Sequence, residues 1–461
     1  MPAYTVVEWG ALTYGDDHGQ IPAPIADRLA AVAERSTFAG SRRDGVLEHG
    51  RHALRARGIV GVVAAGDSSL EILPKVDAEA GEDIGPQAGD LRRRLVHMLA
   101  VAHDLKIDPG AITSLAWQRE TVLEILIRLF ADRLAEAIRL GMPRRYIAEE
   151  DDLRALRGRL DVTRQFTRHA VNPSRLACRY DALSVDTGLN RIMKAAVLHL
   201  CRLSQRAATQ QRLRRLALDY AEVADVPPNA LPWHEVVIDR TNGRWQQPLA
   251  LARLFLQGRH QTTAGGAGQG MALLFDMGEL FEKYVGRLLC RALAGTDHEV
   301  VLQGGGRYCL AADKPKDGLF QTKPDIVIRQ AKAVTHVIDT KWKKIARRLD
   351  DRKHGVSQSD IYQMMAYAQL YGAPRIILLY PHHAALCAGE GVQASHHITG
   401  QPATIAFASL DVAQPGDRGA PLRRLLGFEP SALAASRPEG GAPGAGGEAE
   451  AGAEVLAQGG G

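Results

Sequence analysis

The stretch from Thr322 to Lys344, TKPDIVIRQAKAVTHVIDTKWKK, constrains this chain more than any other. It reads as two short strands, TKPDIVIR and AVTHVIDTKW, joined by a turn near residues 330–332. Val and Ile dominate both segments, as a pleated, half-buried surface favours. A hairpin centred on Lys332 sets Asp325 opposite Asp339, and directly opposed residues of an antiparallel pair hold their Cβ atoms roughly 5 Å apart. Side chains alternate along a strand, so Asp339 and Lys341 are expected on one face and Thr340 on the other. Two carboxylates that close can share a hard divalent cation, Mg²⁺ first and Mn²⁺ as the alternative. An ammonium would then lie beside the metal.

That set suits phosphodiester hydrolysis. The cation lowers the pKa of a bound water and takes up charge on the phosphorane oxygens, while a lysine orients the nucleophile and offsets developing negative charge. The bland alternative is a surface hairpin whose aspartates merely sit at strand ends. Pro324-Asp325 followed by Asp339-Thr340-Lys341 resembles the PD-(D/E)xK nuclease signature.

Composition narrows the partners. The chain has 461 residues, enough for two or three domains, and a net charge of +5 that is compatible with nucleic acid without specifying it. No GxxxxGK[ST] motif occurs, and the Gly-rich pieces at 264–270 and 303–307 lack its lysine. This chain is therefore expected to bind no nucleotide itself, so any nucleotide energy must come from another chain. The five cysteines are scattered without metal-ligand spacing, which reads as reduced thiols of a cytoplasmic protein. No signal peptide or membrane span is expected.

Along the chain, residues 1–77 read as a β-rich domain: a strand at Tyr4–Trp9, a helix over 24–35, and a hairpin of 58–63 with 70–73. Residues 78–265 read as mostly helical, with stripes such as Leu123, Leu126, Ile127, Phe130 and Leu134 facing a core. Glu149-Glu150-Asp151-Asp152 is expected in a solvated loop or at a helix N-terminus. Asp161, Asp181 and Asp186 are expected to cap helices or make salt bridges. The loop near 258–270 is the best boundary, and residues 266–414 form the final domain. This domain should open with a helix over Met271–Leu293 carrying Glu282, whose place on an apolar stripe calls for a partner such as the metal.

After the hairpin comes a basic run in which Lys343, Lys344, Arg347 and Arg348 are placed for contact with DNA phosphates. Ser359 is expected to cap a helix over 360–371, where Gln363 and Tyr367 share a face. Residues 415–461 form a tail, low in complexity and expected to be disordered from 436.

The order of helix with Glu282, strands, PD strand, DxK strand, helix with Gln363 and strand resembles the restriction-endonuclease-like core, a small mixed sheet flanked by helices. Eight short motifs stand in the same order as in the McrC family: LEILPKV (70–76), GMPRRY (141–146), RGRLD (157–161), CRYDALSVDTGLNRIMK (178–194), LFEKYV (280–285), KPDIVI (323–328), VIDTKWKK (337–344) and DIYQMMAYAQLY (360–371). McrC is the nuclease subunit of McrBC systems, which restrict DNA carrying 5-methylcytosine. The resemblance implies a multi-domain α+β chain with a β-rich N-terminal domain, a helical middle and a C-terminal α/β nuclease core. It also implies an McrB-like AAA+ GTPase partner, stimulated by this chain, and a methylated double-stranded DNA substrate. It carries over the family's catalytic set as Asp325, Asp339 and Lys341, with Glu282 and Gln363 added and Glu279 competing with Glu282. The resemblance places partner binding in the first 265 residues. Two rival readings are a stand-alone nuclease of repair or phage defence, and a non-catalytic adaptor that activates an AAA+ motor.

Overall fold

The computed structural model describes residues 3–17, 19–35, 45–75, 87–107, 120–171, 174–256, 270–310, 318–345, 356–386, 389–414 and 418–428. Arg347, Arg348, most of the 77–90 linker and the tail beyond 428, about which the sequence raises expectations, lie outside them.

The expected N-terminal hairpin forms from Ile59–Ala65 and Ser68–Leu73, and Ala3–Val7 lies parallel to the latter. A fourth strand arrives from far along the chain. Gly270–Asp276 pairs antiparallel with Ile59–Ala65, Leu274 opposite Gly61. This corrects the helix expected over Met271–Leu293, which begins at Met277 and ends at Ala292. MALLFD is a short apolar run, and periodicity cannot separate a buried strand from a buried helix over that length. Alternation along it feeds two cores: Met271 and Leu273 join one, Ala272 and Leu274 the other beneath helix Ala23–Glu34. Asp276 then starts the helix, its side chain accepting from Glu279 N at 3.1 Å.

The middle region holds helices Ala88–Ala102, Val122–Arg139, Val162–Arg168, Gly188–Leu203, Ala207–Asp219 and Gln246–Leu256. Phe130, Tyr220, Trp245 and Phe255 are fully buried there. The region also contains a sheet that the helical reading missed. Arg145–Leu153 pairs with Leu176–Ser184, and Arg159–Leu160 pairs with the same partner. The acidic quartet 149–152 is therefore strand, not loop or helix start. It tolerates strand geometry because both faces are wet and partners lie beside it: Arg179 Nε is 2.9 Å from Glu150, the guanidinium of Arg164 is 3.1 Å from Asp152, and the His169 ring is 3.0 Å from Asp152. Asp161 caps the short helix and Asp186 grips Arg191 in a two-point ion pair, while Thr187 caps the next helix.

The C-terminal region is built on a six-stranded mixed sheet in the order His298–Leu302, Ile326–Gln330, Ala333–Thr340, Arg375–Pro381, Thr404–Leu410, Gly391–His397. Helix Met277–Ala292 covers one face with Ile326, Ile328 and Ile338; helix Gln358–Tyr371 covers the other with Val327, Val337 and Leu378. That second helix is capped by Ser357, whose Oγ accepts from Asp360 N at 3.2 Å, rather than by Ser359. The strand Gly391–His397 and the helix Gly419–Leu426 were not foreseen. The latter buries Leu422, Leu425 and Leu426 in a stretch read as tail. Among the described residues no helix is long and apolar enough to cross a membrane.

Candidate active site

The hairpin at the centre of the sequence reading is present, with a different turn. Gln330 pairs with Ala333, so Ala331 and Lys332 alone make the connection, and Ala331 adopts φ 54°. A bulge between Ile328 and Arg329 then shifts the register by one, which restores Ile326 opposite Ile338, the last pair of the ladder, with Asp325 and Asp339 each one residue beyond it. The sheet ends there: Asp325 just precedes its strand, and Asp339 is the penultimate residue of the other.

By strand alternation both aspartates share the face of Val327 and Val337, beneath helix Gln358–Tyr371. Asp339 is 1% exposed. Burial and the nearby charge of Asp325 raise its carboxyl from 3.8 to about 6. Lys341 lies on the same side, its Nζ 2.7 Å from Asp339 Oδ2, a charge-assisted contact to that buried oxygen. Burial opposes the charge on Lys341, yet the attraction of Asp339 prevails and holds the ammonium above its usual range.

Thr340, expected to face away, takes part. Its N–H and its hydroxyl both donate to Asp325 Oδ2, at 2.7 and 2.8 Å. At a strand end the backbone N–H no longer serves the ladder and is free to orient a neighbouring carboxylate. Nothing in the residue type signalled this; only the position between the aspartate and the lysine could have. Glu282 approaches from the helix on the opposite face. It is half-buried, and burial together with the charge of Asp325 raises its carboxyl. Its Oε1 accepts from Gln303 Nε2 at 3.0 Å. Gln303, at φ 49°, also donates its N–H to Asp325 O at 2.7 Å, so one left-handed residue ties both acids. The competitor Glu279 instead lies 3.7 Å from Lys283 one helical turn on. Gln363 donates from Nε2 to Tyr367 OH at 2.7 Å. Burial, then the charges of Asp339 and Asp325, push that phenol up to about 12. Of the basic run, Lys343 is ion-paired with Asp360, and Lys344 is exposed.

Among the described residues no group of three or more His, Cys, Asp or Glu is gathered in metal-binding geometry. The pair Asp325 and Asp339 nevertheless fits Mg²⁺, which commonly takes one or two carboxylates and completes its shell with water and substrate phosphate. Asp339, buried and held above the usual carboxylate range by burial and by Asp325, is a carboxylate that such an ion would stabilise in its charged form. Because a ligating carboxylate must be ionised, apparent Mg²⁺ affinity should be flat at high pH and fall about ten-fold per unit below the Asp339 value. Calorimetric titration between roughly pH 5 and 8 checks this; a constant affinity across that span would remove Asp339 from the ligand set.

The family model for the McrBC 5-methylcytosine restriction system component matches residues 54–381. No curated protein matches the chain. Among solved structures, a chain of the refined half-complex from the tetradecameric assembly of Thermococcus gammatolerans McrB AAA+ hexamers with bound McrC is 22% identical, with a TM-score of 0.70 over 92% of this chain and 99% of that one. A chain of the cryo-EM structure of the T. gammatolerans McrBC complex is 24% identical, with a TM-score of 0.52 over 63% of this chain and 88% of that one. At such identities these likenesses speak to fold. With the family model spanning well over half its length, the chain belongs to the family of McrBC 5-methylcytosine restriction system components.

Proposed function

We propose that this chain is the Mg²⁺-dependent DNA endonuclease subunit of a restriction complex directed at 5-methylcytosine, working with an McrB-like AAA+ GTPase that it stimulates. The observation that carries the reading is the gathering of acids and lysine at the sheet end: Asp325 accepts from Thr340, the residue after Asp339, and Lys341 lies 2.7 Å from Asp339. An adaptor has no need of a buried carboxylate held above its ordinary range beside an ammonium.

Asp325 and Asp339 would hold the ion, which supplies an activated water and charge neutralisation at the phosphate. Lys341 donates toward the attacking water or the non-bridging oxygens as negative charge builds there. Thr340 and Gln303 fix Asp325 in place, and Glu282, half-protected beside it, completes or orients the shell. Gln363, aimed by Tyr367, positions a ligand or phosphate from the overlying helix. Lys344, with Arg347 and Arg348, would contact the DNA backbone.

The relative in T. gammatolerans is bound to McrB AAA+ hexamers. For this chain we place the partner surface in the first 265 residues. The three-stranded sheet and the short helix beside it support that: Tyr146 on strand Arg145–Leu153 and Phe166 on helix Val162–Arg168 are each 73% exposed among charged residues, an amphipathic mixture suited to a protein partner.

A native pull-down from the host, with co-purifying chains identified by mass spectrometry, should recover a P-loop GTPase. Cleavage of methylated DNA should then require GTP. If the chain comes down alone and cuts DNA with Mg²⁺ and no nucleotide, the stand-alone nuclease replaces this reading.

A further inference from the structure

Glu8 is a buried acid that the proposed chemistry does not use. It lies just past the first strand and is 2% exposed. Its Oε1 accepts from Trp342 Nε1 at 2.6 Å and from Lys75 N at 3.0 Å, and its Oε2 is buried with no partner. Taking a carboxyl out of water with one oxygen unmatched costs stability, so its two hydrogen bonds are kept at a cost. The local backbone is strained as well. Trp9 adopts φ 63°, and is pinned by its N–H to Ala56 O at 2.9 Å. Strain and an unmatched acid at one spot are the marks of a functional constraint.

Trp342 indicates what that constraint is. It directly follows Lys341 and packs on Phe281, which directly precedes Glu282, with ring centroids 5.4 Å apart. The strand ladder ends at Thr340. Beyond it the Lys341 backbone is tied to the sheet by its N–H to Leu379 O at 2.9 Å. The next anchor along the chain is the indole of Trp342, and a residue 334 positions away holds it.

We propose that Glu8 is a positioning residue for the nuclease site. By gripping Trp342 it fixes the segment bearing Lys341 and, through Phe281, the helix turn bearing Glu282. The site is then complete only while the end of the first strand is docked on the nuclease region. This inference rests on the nuclease reading above.

The test is single-turnover cleavage by the full chain with its co-purifying partner, Mg²⁺ and saturating DNA. Glu8→Ala and Trp342→Phe should each slow cleavage by about 10- to 100-fold, the usual cost of a small misplacement of catalytic groups. DNA affinity should stay at the parent value. The double variant should be no slower than either single, within about two-fold, since both remove one contact. Glu8→Gln keeps an acceptor for the indole and should restore most of the rate. Parent-like rates in both single variants, losses that multiply in the double, or losses matched by weaker DNA binding would each overturn the inference. Asp339→Asn separates the two levels. If it cuts as fast as the parent, or if the parent does not cut, the nuclease reading falls and takes this one with it. If Asp339→Asn is dead and Glu8→Ala is parent-like, only the role of Glu8 fails.

Discussion

On the proposed function, Asp339→Asn should lower the cleavage rate by on the order of 10³-fold, because one isosteric change removes the charge proposed to hold the metal, worth several kcal/mol at the transition state. The same change should raise stability. The Asp339 carboxyl sits at about 6 in the fold against an ordinary 3.8. The folded chain therefore holds its proton more tightly than the unfolded chain. Stability is favoured below the ordinary value, declines as pH rises through that window, and stays reduced above about 6. The asparagine variant escapes that penalty, so its melting temperature should exceed the parent's at pH 8, with the gap closing as pH approaches 4. Loss of activity with a gain in stability is the signature of a group kept for function. A variant that both cuts normally and melts normally would show that Asp339 is neither a ligand nor strained.

Gly61→Ala should destabilise the chain by about 3 kcal/mol or more, combining an unfavourable backbone conformation with a clash that cannot relax. Gly61 holds φ +130°, and a Cβ there would lie 1.9 Å from Leu273 O, backbone of the paired strand. Gly66 is the control. It has φ +56° with open space around its Cβ position, so alanine there should cost about 1 kcal/mol, the left-handed strain alone. Urea unfolding of both variants separates the terms. Equal midpoints would mean that strand Gly270–Asp276 does not pack on Gly61 as described.

The parts legible in sequence were those with local causes. Val and Ile alternation marked the central hairpin, which forms through a two-residue turn and a bulge whose effects on register cancel, so that Ile326 faces Ile338 next to the two aspartates. The acids and the lysine announced themselves by spacing. Gln363 and Tyr367, four apart, meet as helix geometry requires. What stayed hidden depends on residues distant in sequence. MALLFD looks helical until its partner strand some two hundred residues earlier is known. The acidic quartet looks like a loop until Arg164 and Arg179 are seen across from it. Gln303, Thr340 and Glu8 have ordinary side chains whose roles come from where the backbone ends or turns.

The pairing of Gly270–Asp276 with Ile59–Ala65 bears on heredity as well as on folding. The C-terminal region is not a portable cassette. A gene fragment beginning near the 266 boundary would encode an apolar strand stripped of its neighbour, an open edge prone to aggregation, and would also lack Glu8. Truncation or recombination upstream would thus yield an insoluble remnant instead of a free-standing C-terminal domain. On the proposed nuclease function, a host's safety against its own broken genes would follow from the way the sheet is shared.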